Sequence, residues 1–360
     1  MAAAVVAFFN NKGGVGKTSL VYHLACMYAD LGRRGLAADL DPQANLTASF
    51  LDDESLERLW RRRPTPSPTV FGMLRPLIEG TGDITPMPGQ QVGENLVLLP
   101  GDLELSNFED ELSQAWPRCL EGTGNPRAFR VMSALGRLLR AVGRLHDSEI
   151  IIVDVGPNLG VINRAALVAS DHVVVPLSPD LFSLQGLRNL GPALHAWREG
   201  WADRLARAPR DIADLPAGTM RPLGYVLLAQ TTRSDRPTRA HSRWIARMPL
   251  VYAQEVLGSP RTAPIDIAVD PNCLAQVQHY RSLMPMAQMA RRPVFALRPS
   301  DGAVGSHLQT TQRAYRDFSA LAVRIARRMS EAERAMPGRA APAPQAVAGD
   351  RRLGALPPGR

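Results

Sequence analysis

The 360-residue sequence predicts an α/β fold: a doubly wound, mostly parallel sheet flanked by helices. Three observations predict it. Apolar runs of strand length alternate with segments of helical period, and a glycine-rich loop joins the first strand to the first helix. The run 149–154 (EIIIVD) has the unbroken β-branched character of a central strand covered on both faces. With 45% apolar and 21% charged residues, the chain can bury a large core.

Residues 4–10 (AVVAFFN) read as the first strand, and 17–31 as a helix with Leu20, Leu24, Met27, Tyr28 and Leu31 on its apolar side. Gly32 and Gly35 close that helix, and 36–40 forms a second strand that delivers Asp39 and Asp41. From 52 to 126 the pattern blurs: 61–68 (RRRPTPSP) reads as an exposed loop and 95–99 as a strand. This variable segment could carry a partner-specific insertion. A helix at 127–145 leads into 149–154, with further strands at 172–176 and 223–228 and helices near 163–169 and 184–197. A last strand near 293–297 and a helix over 308–329 complete one domain of residues 1–330. Residues 331–360 are rich in Ala, Pro, Gly and Arg with few large apolar side chains, so a disordered tail is expected.

No apolar run approaches the roughly 18 residues of a spanning helix, and no basic segment precedes the short apolar stretch at the start. Cys26, Cys119 and Cys273 lie far apart, which disfavours a zinc site, an iron-sulfur cluster or a disulfide framework. A cytoplasmic protein without stable membrane insertion is expected. The seven histidines are scattered and suggest no metal site.

The chain carries 42 basic and 34 acidic residues, a net charge of +8, which admits a polyanionic partner. Lysine occurs only at Lys12 and Lys17; every other basic residue is arginine. Those two places need a compact ammonium on a flexible stem rather than a rigid fork. They lie in Asn11-Lys12-Gly13-Gly14-Val15-Gly16-Lys17-Thr18, between the first strand and helix. Glycines let such a loop turn its N–H groups toward an anion, and the helix adds the positive end of its dipole. The nucleotide-binding set is Lys12, Gly13, Gly14, Val15, Gly16, Lys17, Thr18 and Ser19. Lys17 is placed for the β- and γ-phosphates and Thr18 for Mg²⁺.

The strict GxxxxGK[ST] pattern fails, because Asn11 stands where its first glycine belongs. The guanine-reading [NT]KxD motif is impossible with lysine confined to two positions, so ATP is the expected nucleotide. Carboxylates at strand C-termini surround the place where such folds bind ligands. Asp154 suits Mg²⁺ through a water, and Asp41 suits the orientation of an attacking water. The bland alternatives are a ligand-free glycine turn and ordinary strand-end aspartates.

Taken in order, KGGVGKT, DLDPQANLT, IIIVDVGPNLG and VVVPLSPDLFSLQGL resemble the ParA/MinD group of P-loop ATPases with a deviant Walker A motif, specifically ParA/Soj-type partition proteins. The likeness covers residues 4–330. It implies an ATP-bound homodimer in which Lys12 reaches the partner's phosphates, Lys17 serves as the phosphate-loop lysine, Thr18 ligates magnesium, Asp41 supports hydrolysis and Asp154 is the Walker B residue. It further implies slow ATP hydrolysis stimulated by a ParB-like or cargo adaptor protein, and non-specific binding of double-stranded DNA that gives nucleoid association in the ATP form. VGPNLG after Asp154 departs from the pair of prolines common in relatives, which could alter the γ-phosphate sensor loop.

For DNA, the segment 231–248 (TTRSDRPTRAHSRWIARM) holds five arginines and one acidic residue. Read as one helix at about 100° per residue, it gathers Arg236, Arg239, Arg243 and Arg247 on one side, beside an apolar face of Trp244, Ile245 and Met248. Arg291 and Arg292 are a weaker candidate. The adenine is expected near the loop after Leu228 and near the turn at Pro271-Asn272. Competing expectations are a MinD-like membrane-associated ATPase, disfavoured by the proline-rich final residues, and a small-molecule P-loop enzyme. Cargo other than DNA remains open within the leading reading.

Overall fold

The computed structural model describes residues 3–61, 67–122, 124–229, 239–278, 280 and 283–335. β1 (Ala4–Phe8) is followed by α1 (Lys17–Asp30), β2 (Gly35–Asp39), α2 (Asn45–Phe50), α3 (Asp53–Trp60), α4 (Val70–Ile78), β3 (Gln90–Gly93) and β4 (Leu96–Leu99). Next come α5 (Glu109–Arg118), α6 (Pro126–Leu145), β5 (Ile150–Asp154), α7 (Val161–Val168), β6 (His172–Leu177), α8 (Leu181–Leu205) and β7 (Arg221–Ala229). α9 (Arg239–Ile245), α10 (Met248–Val251), β8 (Cys273–Gln278), α11 (Leu283–Ala290) and α12 (Ser306–Arg334) complete the order.

One eight-stranded sheet runs β3-β4-β2-β5-β1-β6-β7-β8. Only the β3–β4 hairpin is antiparallel. β5 lies between β1 and β2, with Asp154 in register with both Phe8 and Asp39, so three strand ends meet at one edge. Alternation along β1 sends Val5 and Ala7 into the core under α4–α8, and Val6 and Phe8 into the core under α1 and α12. Because both faces are covered, Ile151 and Val153 bury completely on one side and Ile150 and Ile152 nearly so on the other. Each such side chain contributes about 2 kcal/mol. That is why β5 is the most legible strand in the chain.

The blurred segment 52–126 supplies β3 and β4, which extend the sheet, and the helices α3, α4 and α5. α3 buries no residue completely, which explains its weak apolar signal. Of the expected loop 61–68, residues 62–66 lie outside the described residues.

Two expectations need correction. The last strand is not 293–297 but β8; Val294–Ala296 is a short 3-10 turn. Pro293 has no N–H to give a ladder, and Val294 donates its own to His23 Nε2 at 3.0 Å instead of to a strand. The turn at Pro271-Asn272 opens β8, where Cys273 pairs with Tyr225 of β7. α12 continues to Arg334, four residues into the expected tail; residues 336–360 lie outside the described residues.

Candidate nucleotide site

The glycine loop begins where β1 ends, at the edge shared with Asp39 and Asp154. Gly14 and Gly16 take φ of 72° and 87°, a left-handed conformation that side chains rarely adopt. Gly16 stands at the start of α1 with no side-chain cap there, so the first-turn N–H groups face the loop without a side-chain partner. Asn10 fixes the loop's entry: its Nδ2 donates to Pro176 O at 2.6 Å, and its Oδ1 accepts from Lys12 N at 3.1 Å. Gly186 on α8 allows the close approach, since a Cβ there would stand 2.7 Å from Asn11 Oδ1. Within the loop Val15 is buried, Gly13, Gly14 and Gly16 are exposed, and Thr18 and Ser19 are half-buried.

The two lysines are held differently. Lys17 is buried and its Nζ donates to Asp154 Oδ1. Burial raises the Asp154 carboxyl above its ordinary range, and Lys17 pulls it back. Asp154 Oδ2 is buried with no protein hydrogen-bond partner. Lys12 is half-exposed; its Nζ donates to Asp180 Oδ2 and lies 5.9 Å from the centre of the Phe182 ring.

Next to β5, Asp39 is fully buried and accepts from Thr47 N at 2.8 Å and Thr47 Oγ1 at 2.7 Å. Its carboxyl is pushed up to about 7, first by burial and then by the neighbouring Asp154 charge, against the Thr47 bonds. Asp41, two residues on, is 5% exposed and accepts from Gln43 N at 3.0 Å. A Cβ at Gly156 would lie 3.5 Å from Asp41 Oδ1, so the loop after Asp154 packs directly on Asp41.

That loop is held by Asn163 of α7. Its Oδ1 accepts from Gly156 N at 3.1 Å, while its Nδ2 donates to Gly156 O at 2.9 Å and Asn158 O at 2.7 Å. Sequence reasoning missed Asn163, Thr47 and Asp180. Only Asp180 had a readable signal: an aspartate directly before a helical apolar pattern, and it does cap α8 through Ser183 N at 2.9 Å.

The structure thus brings Lys12, Gly13 to Ser19, Asp41 and Asp154 to one edge. The arginine segment expected to form a DNA surface lies only partly within the described residues. Arg236 lies outside the described residues, and Arg239 opens α9. The single helix of the sequence reading is corrected: α9 stops at Ile245, because Pro249 has no N–H for the Ile245 carbonyl, and α10 restarts at Met248. Arg243 and Arg247 are exposed and both stand over Trp244, at 4.3 Å and 5.5 Å from its ring. Trp244 and Ile245 pack against the core and Met248 is buried, so the apolar half of that reading holds.

A parallel sheet, a glycine loop running into an uncapped helix, and carboxylates in register at the same edge define a P-loop NTPase. The sequence profile of the AAA domain family AAA_31 matches residues 3–206. The chain is 33% identical over 189 residues to the chromosome partitioning protein ParA of Caulobacter vibrioides, covering 52% of this chain and 60% of that protein. It is 30% identical over 187 residues to the sporulation initiation inhibitor protein Soj of Bacillus subtilis, covering 52% and 62% respectively. The matched stretch therefore spans less than two thirds of either relative. Among solved structures, protein DIP2308 of Corynebacterium diphtheriae superposes with a TM-score of 0.62 at 27% identity, over 90% of this chain and 98% of that one. The chain belongs to this AAA domain family, and its matched stretch is similar to ParA and Soj partition proteins. Among the described residues no helix is long and apolar enough to cross a membrane.

Proposed function

We propose that the chain is an ATP-hydrolysing switch that dimerises on ATP, binds duplex DNA without sequence preference, and partitions or positions a cargo. The observation that supports this most is that both lysines stand on one glycine loop, each ammonium held by a carboxylate, Lys12 by Asp180 and Lys17 by Asp154. A triphosphate offers both lysines a stronger partner than a single carboxylate, since charge-assisted contacts to phosphate are among the strongest available.

In this reading Lys17 leaves Asp154 for the β- and γ-phosphates. Thr18 and the released Asp154 fit a Mg²⁺ site, with Asp154 Oδ2 already buried and unpartnered. Mg²⁺ usually takes only one or two protein oxygens beside the phosphates and, when bound, neutralises phosphate charge. Asp41 orients the attacking water, and Asn163 keeps the Gly156 loop against it. Lys12 reaches the phosphates of a second copy, so hydrolysis waits for dimerisation. Arg243 and Arg247 are the described part of the DNA surface, with Arg236 and Arg239 as further candidates. The naming of relatives as chromosome partitioning and Soj proteins favours a chromosome or plasmid as cargo, with a ParB-like or adaptor protein stimulating hydrolysis. Nucleoid association would follow from DNA binding by the ATP form.

Fluorescence anisotropy with a labelled duplex tests this. Binding is expected only with ATP and Mg²⁺, with log affinity falling against log salt by about 0.9 per phosphate contacted. Equal binding without nucleotide would refute the switch.

A further inference from the structure

We infer that Asp180 is a positioning residue that holds Lys12 within its own subunit and thereby sets how much ATP is needed for self-association. This rests on the dimerising role proposed for Lys12. The carboxylate divides its work: Oδ1 accepts from Ser183 N at 2.9 Å and caps α8, while Oδ2 takes the Lys12 ammonium. The cap anchors Asp180 to a 25-residue helix, so the acceptor for Lys12 is presented on a rigid element. Phe182, 70% exposed, gives the same ammonium a ring face 5.9 Å away.

Lys12 cannot serve a neighbour's triphosphate while Asp180 holds it. The pair keeps 26% and 31% side-chain exposure, so it is screened and can exchange, unlike a buried pair. Two subunits must each release one lysine, so the cost of opening enters the dimerisation constant twice. At roughly three-fold per subunit, the two releases amount to about ten-fold.

Asp180→Asn separates the two jobs, because its Oδ1 still caps α8 while its amide cannot hold an ammonium. Asp180→Ser does the same with a hydroxyl cap. Sedimentation velocity of the full chain across an ATP series with Mg²⁺ should show both variants reaching the wild-type maximal mass at about three-fold less ATP, because each dimer takes up two nucleotides. In nucleotide-free protein, acylation of Lys12 by an N-hydroxysuccinimide ester, with Lys17 as internal reference, should run about three-fold faster in both variants.

Unchanged Lys12 labelling would show that Asp180 does not hold it and would overturn the inference. Faster labelling with an unmoved ATP midpoint would overturn the regulatory part, and so would a midpoint shift in only one of the two capping variants. If neither wild type nor variants gain mass with ATP, the dimerising switch itself fails and the threshold role falls with it. Faster labelling in that case still separates the ion pair from the function built on it.

Discussion

Lys17 with Asp154 and Lys12 with Asp180 are the same two chemical groups, five residues apart along one loop, in opposite surroundings. On the floor of the site the side chains of Lys17 and Asp154 are 7% and 0% exposed; at the rim those of Lys12 and Asp180 are 26% and 31% exposed. A buried pair is costly to break from one side, because the remaining charge is stranded, while a solvated pair is worth less than about 1 kcal/mol. Floor substitutions should therefore cost stability and nucleotide binding together. Rim substitutions should alter association and leave the fold intact.

The largest expected effect is Lys17→Met. Urea unfolding should show a loss of about 3 kcal/mol near pH 8. The loss should be smaller near pH 5, because a lower pH favours the neutral form of a carboxyl whose pKa burial already raises. Calorimetry should show no ATP binding. A full-sized loss at both pH values would contradict a stranded Asp154.

The floor should also be visible in two opposed pH dependences. His23 is buried, bonded to Ser19 O at 2.7 Å and Val294 N at 3.0 Å, and burial lowers it from 6.5 to about 4. Between those values the unfolded chain binds its proton and the fold does not, so this group makes stability fall as pH drops from 6.5 to 4, by about 3 kcal/mol. Asp39 is raised from 3.8 to about 7, so the fold holds a proton that the unfolded chain has lost. Its contribution is present below pH 3.8 and is lost as pH rises through 7. Relative to wild type, His23→Phe should lose the acid-side decline, and Asp39→Asn should lose the decline toward neutrality. Parallel stability curves for wild type and either variant between pH 4 and 7 would remove that group from the account.

Asn163→Ala strips Gly156 N and O of their partner and should cost about 2 kcal/mol, with slower hydrolysis per bound ATP. Thermal unfolding and single-turnover assays would check both. The smallest effect on stability is expected from Arg243→Ala and Arg247→Ala, each within about 0.5 kcal/mol by urea unfolding. If these side chains meet phosphate, each variant should flatten the salt dependence of ATP-dependent DNA binding by about 0.9 in log-log slope.

The floor was more legible than the rim for physical reasons. The buried strand β5 and the glycine loop are dictated locally, by β-branched residues and by left-handed turns, so both could be read from neighbouring residues. Asn163, Thr47 and Asp180 act across 7, 8 and 168 residues, and nothing local marks such partners except the cap at Asp180. The strand misassigned to 293–297 had the right apolar content, but its first free N–H was committed to His23, 271 residues away. The arginine helix was misread because period alone did not account for Pro249.

Sedimentation velocity of wild type and Lys12→Ala, with and without ATP and Mg²⁺, tests the central claim most directly. Wild type should double its mass on nucleotide, while Lys12→Ala should bind ATP calorimetrically and stay monomeric. A Lys12→Ala protein that dimerises as readily as wild type, or a wild type indifferent to ATP, would contradict the account.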